Sequence, residues 1–231
     1  MATSGTYAFN LDLGDAIEEA FERAGLQLRG GYDYRTARRS IDLLMLEWQN
    51  RGLNLWTVQE GSQALTAGTS RYTLSGDVLV LVEAFIRTDA ADVSSQFDQT
   101  LSRISISQYA HLSNKLTQSK PLQYYIEKDP SAISVNLWPS PDDQKTYTLI
   151  YYYMQRVEDS GSPASNNIDI PSRFLPCLVA GLAYKLSIKY GPDTNRSTFL
   201  KADYEEQWTE AADADRGKAS LYISPGGYAT V

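Results

Sequence analysis

The hydrophobic period of this chain changes twice, and that order limits its possible folds more than any other feature. Up to Gly52, apolar residues recur every three or four positions. Leu13, Ile17, Ala20, Phe21 and Ala24 mark a first helix, with Asp12 as its N-cap and Gly25 as its stop. Asp15, Glu18, Glu19 and Glu22 fall on the opposite face, where carboxylates favour the N-terminal half of a helix. A second helix is predicted from near Asp33. Its stripe is Tyr34, Ala37, Ile41, Leu44, Met45 and Trp48, and Gly52 ends it. Arg35, Arg38 and Arg39 give this helix a short basic face, which reads as a solvated or locally salt-bridged face or, more sharply, as a contact to an acidic partner.

From Leu55 to Val157 the period shortens. Leu55–Glu60, Ser62–Leu65, Arg71–Leu74 and Val78–Thr88 read as strands separated by turns at Gly61, Gly68 and Gly76. The almost wholly apolar run Val78–Ile86 is expected in the middle of a sheet. Gln123–Lys128, Ile133–Trp138 and Thr146–Arg156 are three more strands, punctuated by Pro130 and by the Pro139–Asp143 turn. Ser105–Leu116 reads as a short helix between the two groups. Glu158–Asp169 is polar and rich in Gly, Pro, Ser and Asn, so it reads as a loop.

Helical spacing then returns. Leu175, Leu178, Val179, Leu182, Ala183 and Leu186 form a strong stripe that Gly191-Pro192 closes. Pro176 is tolerable near its start if Ser172 lies close to the N-cap. Leu200, Tyr204, Trp208 and Ala211 stripe a last helix, and the chain after Gly217 is not helical. Neither helix pair can bury its apolar face alone. The expected class is therefore α+β: residues 1–53 and 171–216 form one helical bundle. Residues 54–170 form an inserted antiparallel β-rich domain with one short helix, and 217–231 form an extended C-terminal arm. Of the net charge of −7, the stretch 54–170 carries −5.

Chemistry-bearing patterns are sparse. One Cys and one His rule out a disulfide framework and a multi-Cys or multi-His zinc site. Catalysis of the Ser-His-Asp or Cys-His kind would rest on His111, which has no evident orienting acid. Cys177 sits in an apolar helix start and reads as a core residue. Neither GxxxxGK[ST] nor GxGxxG occurs. The pairs Asp142-Asp143 and Glu158-Asp159 read as solvated turns, since the alternating ligands of a calcium loop are missing. Glu18, Glu19 and Glu22 read as a wet helix face. The first twenty residues lack a basic n-region and an apolar h-region, so no signal peptide is expected. The run Val78–Val82 is far too short to span a bilayer. An acidic chain gains little from counterion release on DNA, so sequence-independent clamping is not expected. The 16 Tyr and 4 Trp against 6 Phe suit interfaces, where a ring is buried and a polar handle kept. The reading is an interaction protein without catalytic residues, cofactor or metal.

Three stretches together resemble a known family. They are Ile41–Trp56, then Arg103, Tyr109, Ala110, Leu112 and Lys115 leading to Lys120-Pro121 and Tyr124-Tyr125, then Leu137–Pro141 with the Tyr-rich strand Leu149–Met154. With the Ile170-Pro171 to Leu182-Ala183 helix, they are similar to head-to-tail adaptors of short-tailed double-stranded-DNA bacteriophages, the tail tubular protein A or connector type. The resemblance covers about residues 7–210 and implies a structural virion protein made in the host cytoplasm. It implies a twelve-subunit ring at the head–tail junction that docks under the portal protein, prolongs the DNA channel and meets the tail nozzle. Tail fibres can attach to the outside of such rings. DNA passes through without specific binding, which agrees with an acidic chain, and no membrane is involved. Within this reading, Leu221, Tyr222, Ile223 and Tyr228 are expected to dock the portal. Arg35, Arg38, Arg39, Tyr151 and Tyr153, with the strand segments Leu79–Phe85 and Tyr147–Tyr153, are expected to face neighbouring subunits or the nozzle. Two other classes fit parts of the pattern: a carbohydrate-binding β module that uses the aromatics, and a tail-associated murein hydrolase with Glu18 or Glu22 as acid.

Overall fold

The structure, a computed structural model, describes residues 12–52, 57–92, 94–157, 170–191 and 193–215. It is α+β. Helix α1 (Leu13–Ala24) begins where the Asp12 carboxylate accepts the Gly14 N–H, and ends at Gly25, whose φ of 70° is a left-handed cap. Helix α2 (Gly31–Arg51) starts two residues before the predicted Asp33. Asp33 lies inside the first turn and reaches back to accept the Arg29 N–H at 2.9 Å, so it serves the N-terminus without being its cap. A single 3₁₀ turn, Ser172–Phe174, leads into α4 (Leu175–Tyr190), and α5 (Thr194–Asp215) follows. Pro176 occupies the first turn of α4, where its missing N–H is not needed.

These four helices share one apolar core. Leu13, Ile17, Phe21, Ile41, Leu44, Trp48, Phe174, Leu178, Leu182, Leu186, Leu200 and Tyr204 are all buried in it. Helix α4 packs against α1, α2 and α5. Gly181 allows its closest approach, because a Cβ there would lie 2.9 Å from both Leu44 and Tyr204. A polar tie crosses the same core. Trp48 Nε1–H donates to the Tyr204 hydroxyl (3.0 Å), which donates to Glu47 Oε1 (3.1 Å). Lys185 also donates to Glu47, and Arg51 bridges Glu47 (2.7 Å) and both oxygens of Glu205 (2.8 Å each). Burial alone would raise the Glu47 pKa, but Lys185 and Arg51 outweigh it and hold the carboxyl below its ordinary range.

The strands form two four-stranded sheets. In one, β1 (Val58–Ala64), β8 (Tyr147–Gln155), β3 (Val78–Thr88) and β4 (Phe97–Thr100) lie in that order. In the other the order is β2 (Arg71–Thr73), β7 (Ile133–Trp138), β6 (Gln123–Lys128) and β5 (Ser102–Arg103). Both contribute to a second apolar core containing Val78, Leu81, Ala84, Ile86, Leu149 and Tyr151 from one sheet and Tyr72, Tyr124, Ile126, Val135 and Leu137 from the other. The chain changes sheets at Leu101, whose N–H bonds the Ala84 carbonyl while the Ser102 N–H bonds Leu122. That crossing makes the β5–β6 pairing parallel, so the β part is mixed and not wholly antiparallel as expected.

Two local expectations, for Gly61 and for the short helix, are corrected, and two strands are added. Gly61 is not a turn. It lies inside the continuous strand β1, opposite Tyr151, whose ring covers it so closely that a Cβ would come within 2.5 Å. Strands β4 and β5 fall in a stretch with no sequence alternation, and they are short edge strands. Helix α3 (Ile106–Ala110) stops well before Leu116. Ser105 and Gln108 form a capping box at its start, and Lys115 Nζ folds back onto the Ala110 and Leu112 carbonyls at 3.1 and 3.4 Å. Strand β3 is central, as its apolar run suggested, but two register shifts reset its alternation. Buried residues therefore run 78, 81, 84, 86 and 88.

Candidate interaction surfaces

Helix α2 has a second face besides the one in the core. Tyr32, Arg35, Arg39, Leu43 and Leu46 recur at three- and four-residue spacing on its outside. Tyr32, Leu43 and Leu46 are 66, 63 and 53 % exposed. Arg35, Arg38 and Arg39 line a hollow of about 470 Å³ with Tyr32 and Asp42. Arg35 Nε–H bonds the Gly31 carbonyl at 3.3 Å, and Arg39 reaches Thr36 Oγ1 at 3.5 Å. Among the described residues none of the three arginines forms an ion pair. Lys189 of α4 lies alongside, donating to the Thr36 carbonyl and Ser40 Oγ. Burial and the nearby Arg39 charge lower its pKa.

Helix α1 presents the opposite charge. Asp15, Glu18, Glu19 and Glu22, with Arg23, form the acidic rim of a groove of about 810 Å³. Its other wall is Ser172, Arg173, Leu175, Pro176 and Val179 at the start of α4. The two arginines are engaged within the chain, Arg23 with Glu19 at 2.8 Å and Arg173 with Asp215 at 2.7 Å. Glu18 accepts the Tyr34 hydroxyl at 2.8 Å, which raises the Tyr34 pKa. Glu18 and Glu22 are exposed side chains.

In the β part, Tyr151 is 6 % exposed and lies in the core against Gly61. Tyr153 is half-buried, with its hydroxyl on Asp77 at 3.2 Å. The tyrosine of this strand that reaches outward is Tyr152, which stands edge-on to Phe85 (6.0 Å) and donates to Glu60 (3.0 Å). Val82 is exposed beside it at a register shift. Of the described tryptophans, Trp48 and Trp208 pack with Phe174 in the helical core, and Trp138 donates its N–H to the Asn114 carbonyl (2.9 Å). Tyr109 and Tyr125 stack on each other.

The remaining candidates are placed as follows. His111 is exposed at the end of α3, with Nδ1 2.6 Å from the Ser107 carbonyl. Cys177 is buried and its thiol is pushed up to about 12 by desolvation. Asp142 accepts the Gln144 N–H at 3.1 Å, a turn contact. Glu158, Asp159, Leu221, Tyr222, Ile223 and Tyr228 lie outside the described residues. Among the described residues no group of three or more His, Cys, Asp or Glu could hold a metal ion. No described helix is long and apolar enough to cross a membrane. Leu43 and Leu46 went unmarked in the sequence reading. Their signal is the four consecutive apolar residues Leu43–Leu46, more than one helix face can bury.

Exposed apolar residues interleaved with charge, on a packed α+β frame, are the surface of a chain that works through contacts. Residues 11–226 match the family described as SU10 adaptor protein, and the chain belongs to that family. This makes it a phage adaptor, a structural protein of the virion's head–tail junction, in agreement with the resemblance read from its sequence. Comparison with curated proteins finds no match.

Proposed function

We propose that this chain forms a closed ring, of twelve copies as its resemblance implies, that docks beneath the portal and connects it to the tail nozzle. The observation that carries the reading is the family match, which runs through the helices and the strands alike. In this reading residues 1–53 and 171–216 act as one helical domain and 54–170 as an inserted β domain. The separate apolar cores support that division. The C-terminal arm, with Leu221, Tyr222, Ile223 and Tyr228, docks the portal, and the outward residues of β3 and β8 face neighbouring subunits or the nozzle. DNA passes the ring without specific contacts.

The test is native mass of the purified chain, alone and after mixing with the portal ring of the same particle. A stoichiometric ring-on-ring complex is expected. A chain that stays monomeric beside an intact portal ring overturns the reading. Truncation after Gly217 is expected to abolish portal binding, and unchanged binding removes the arm from the docking surface.

A further inference from the structure

The two charged faces of the helical part are complementary in charge and in apolar content, and they lie on different helices of one chain. The α2 face carries Arg35, Arg38 and Arg39 against the single carboxylate Asp42, flanked by the exposed Leu43 and Leu46. The α1 groove carries four carboxylates, and both of its arginines are bound to acids of their own chain. Asp15 and Glu22 have no ion-pair partner among the described residues. The far wall of that groove sets Leu175, Pro176 and Val179 beside Ser172 and Arg173. A helix face that mixes leucine with arginine is thus matched by a groove that mixes aliphatic wall with carboxylate rim.

We propose that the outer face of α2 docks into the α1–α4 groove of a second copy of this chain. Arg35 and Arg39 then meet the Asp15–Glu22 rim, and Leu43 and Leu46 meet the aliphatic wall. The contact is heterologous: each copy offers the α2 face to one neighbour and the groove to the other. Repeated around an axis, it closes a ring. The inference rests on the adaptor reading and names the surfaces that such a ring uses. Charge complementarity also sets the direction of assembly, because α2 against α2, or groove against groove, places like charges together.

The test is a charge swap in the full chain. One variant carries Arg35→Glu with Arg39→Glu, another Asp15→Arg with Glu22→Arg, and circular dichroism checks that each remains folded. Each variant alone is expected to need about a hundredfold more protein than wild type to form rings, on the portal or free. An equimolar mixture of the two is expected to restore assembly, because every α2 face then finds a groove of opposite charge. A chain carrying both swaps also assembles. A mixture of heavy- and light-isotope copies with a photo-crosslinker at Leu46 is expected to give heavy–light links to the peptides of α1 or the start of α4.

Folded single-side variants that assemble like wild type overturn the proposal. So does a mixture that fails to recover, or links only within one chain. If wild type joins the portal ring while these results appear, the adaptor reading stands and the interface is wrong. If wild type itself never joins the ring, the adaptor reading fails and the interface fails with it.

Discussion

Replacing Tyr204 by Phe removes one oxygen from the centre of the helical core. That oxygen accepts from Trp48 Nε1–H and donates to Glu47, joining α5 to α2. The two ends of the tie respond differently. Glu47 keeps Lys185 and Arg51 as donors, so the lost hydrogen bond there costs only about 0.5–1.5 kcal/mol. The Trp48 N–H is left in a place water does not reach, since both rings are 1 % exposed, and an orphaned buried donor costs about 1–3 kcal/mol. The more apolar Phe ring offsets part of this. The expected net loss is about 2 kcal/mol, or about 1 M of urea midpoint at an m-value near 2 kcal/mol/M. The assay is urea unfolding followed by circular dichroism and tryptophan emission. The slope should not change, because the surface exposed on unfolding is the same. Tyr190→Phe is the control. Its hydroxyl bonds Asp33 in the open at 2.7 Å, both groups rehydrate, and the midpoint should stay where it is. A Tyr204→Phe midpoint within about 0.2 M of wild type at equal slope would refute the claim that this hydroxyl is an obligatory partner.

The other predictions concern the β core, acid stability and the thiol. Gly61→Val should lower the melting midpoint, by about 1–3 kcal/mol of overpacking against Tyr151, although Val is normally the better strand residue; a stabilised variant would contradict the covering ring. Glu47 and Glu205 have folded pKa values below the ordinary 4.5, so they stabilise the fold above that pH and lose this contribution as pH falls through the lowered values. Melting between about pH 5 and pH 3 should therefore fall more steeply for wild type than for Glu47→Gln, and equal slopes would remove Glu47 from the account. Cys177, with its thiol pushed up to about 12, should resist iodoacetamide at neutral pH in the folded chain and react once in urea; rapid native alkylation would show an open thiol.

The helices were legible because one physical rule, burial of a stripe at helical spacing, decides them with few competitors. Asp12 and Gly25 marked the limits of α1 correctly for the same reason. The β part was less legible. Gly61 has the residue type of a turn, and its strand pairing with Tyr151, whose ring covers it, is made with a residue ninety positions away. The paired shifts in β3, each an extra β3 residue against β8, leave no trace in its apolar run. Strands β4 and β5 are held by pairing along edges and not by a pattern of their own. The interaction surfaces were half visible. Arg35, Arg38 and Arg39 stood out as charge, but Leu43 and Leu46 were hidden beside Leu44 and Met45 until the helix showed which of them it buries. Tyr151 and Tyr152 differ only in the phase of the strand, and that phase turns Tyr151 inward and Tyr152 outward.

Helix α4, on which the other three core helices pack, is nearly the last element to leave the ribosome. Roughly 120 residues separate the end of α2 from its start, which at usual synthesis rates is on the order of ten seconds. The hydrogen bond from Trp48 to Tyr204 spans 156 positions. By the end of that interval every strand has been made, while the stripes of α1 and α2 still lack the helix that both pack on in the finished core. Completing α4 is the step that lets the stripes of α1 and α2 become the core of the adaptor.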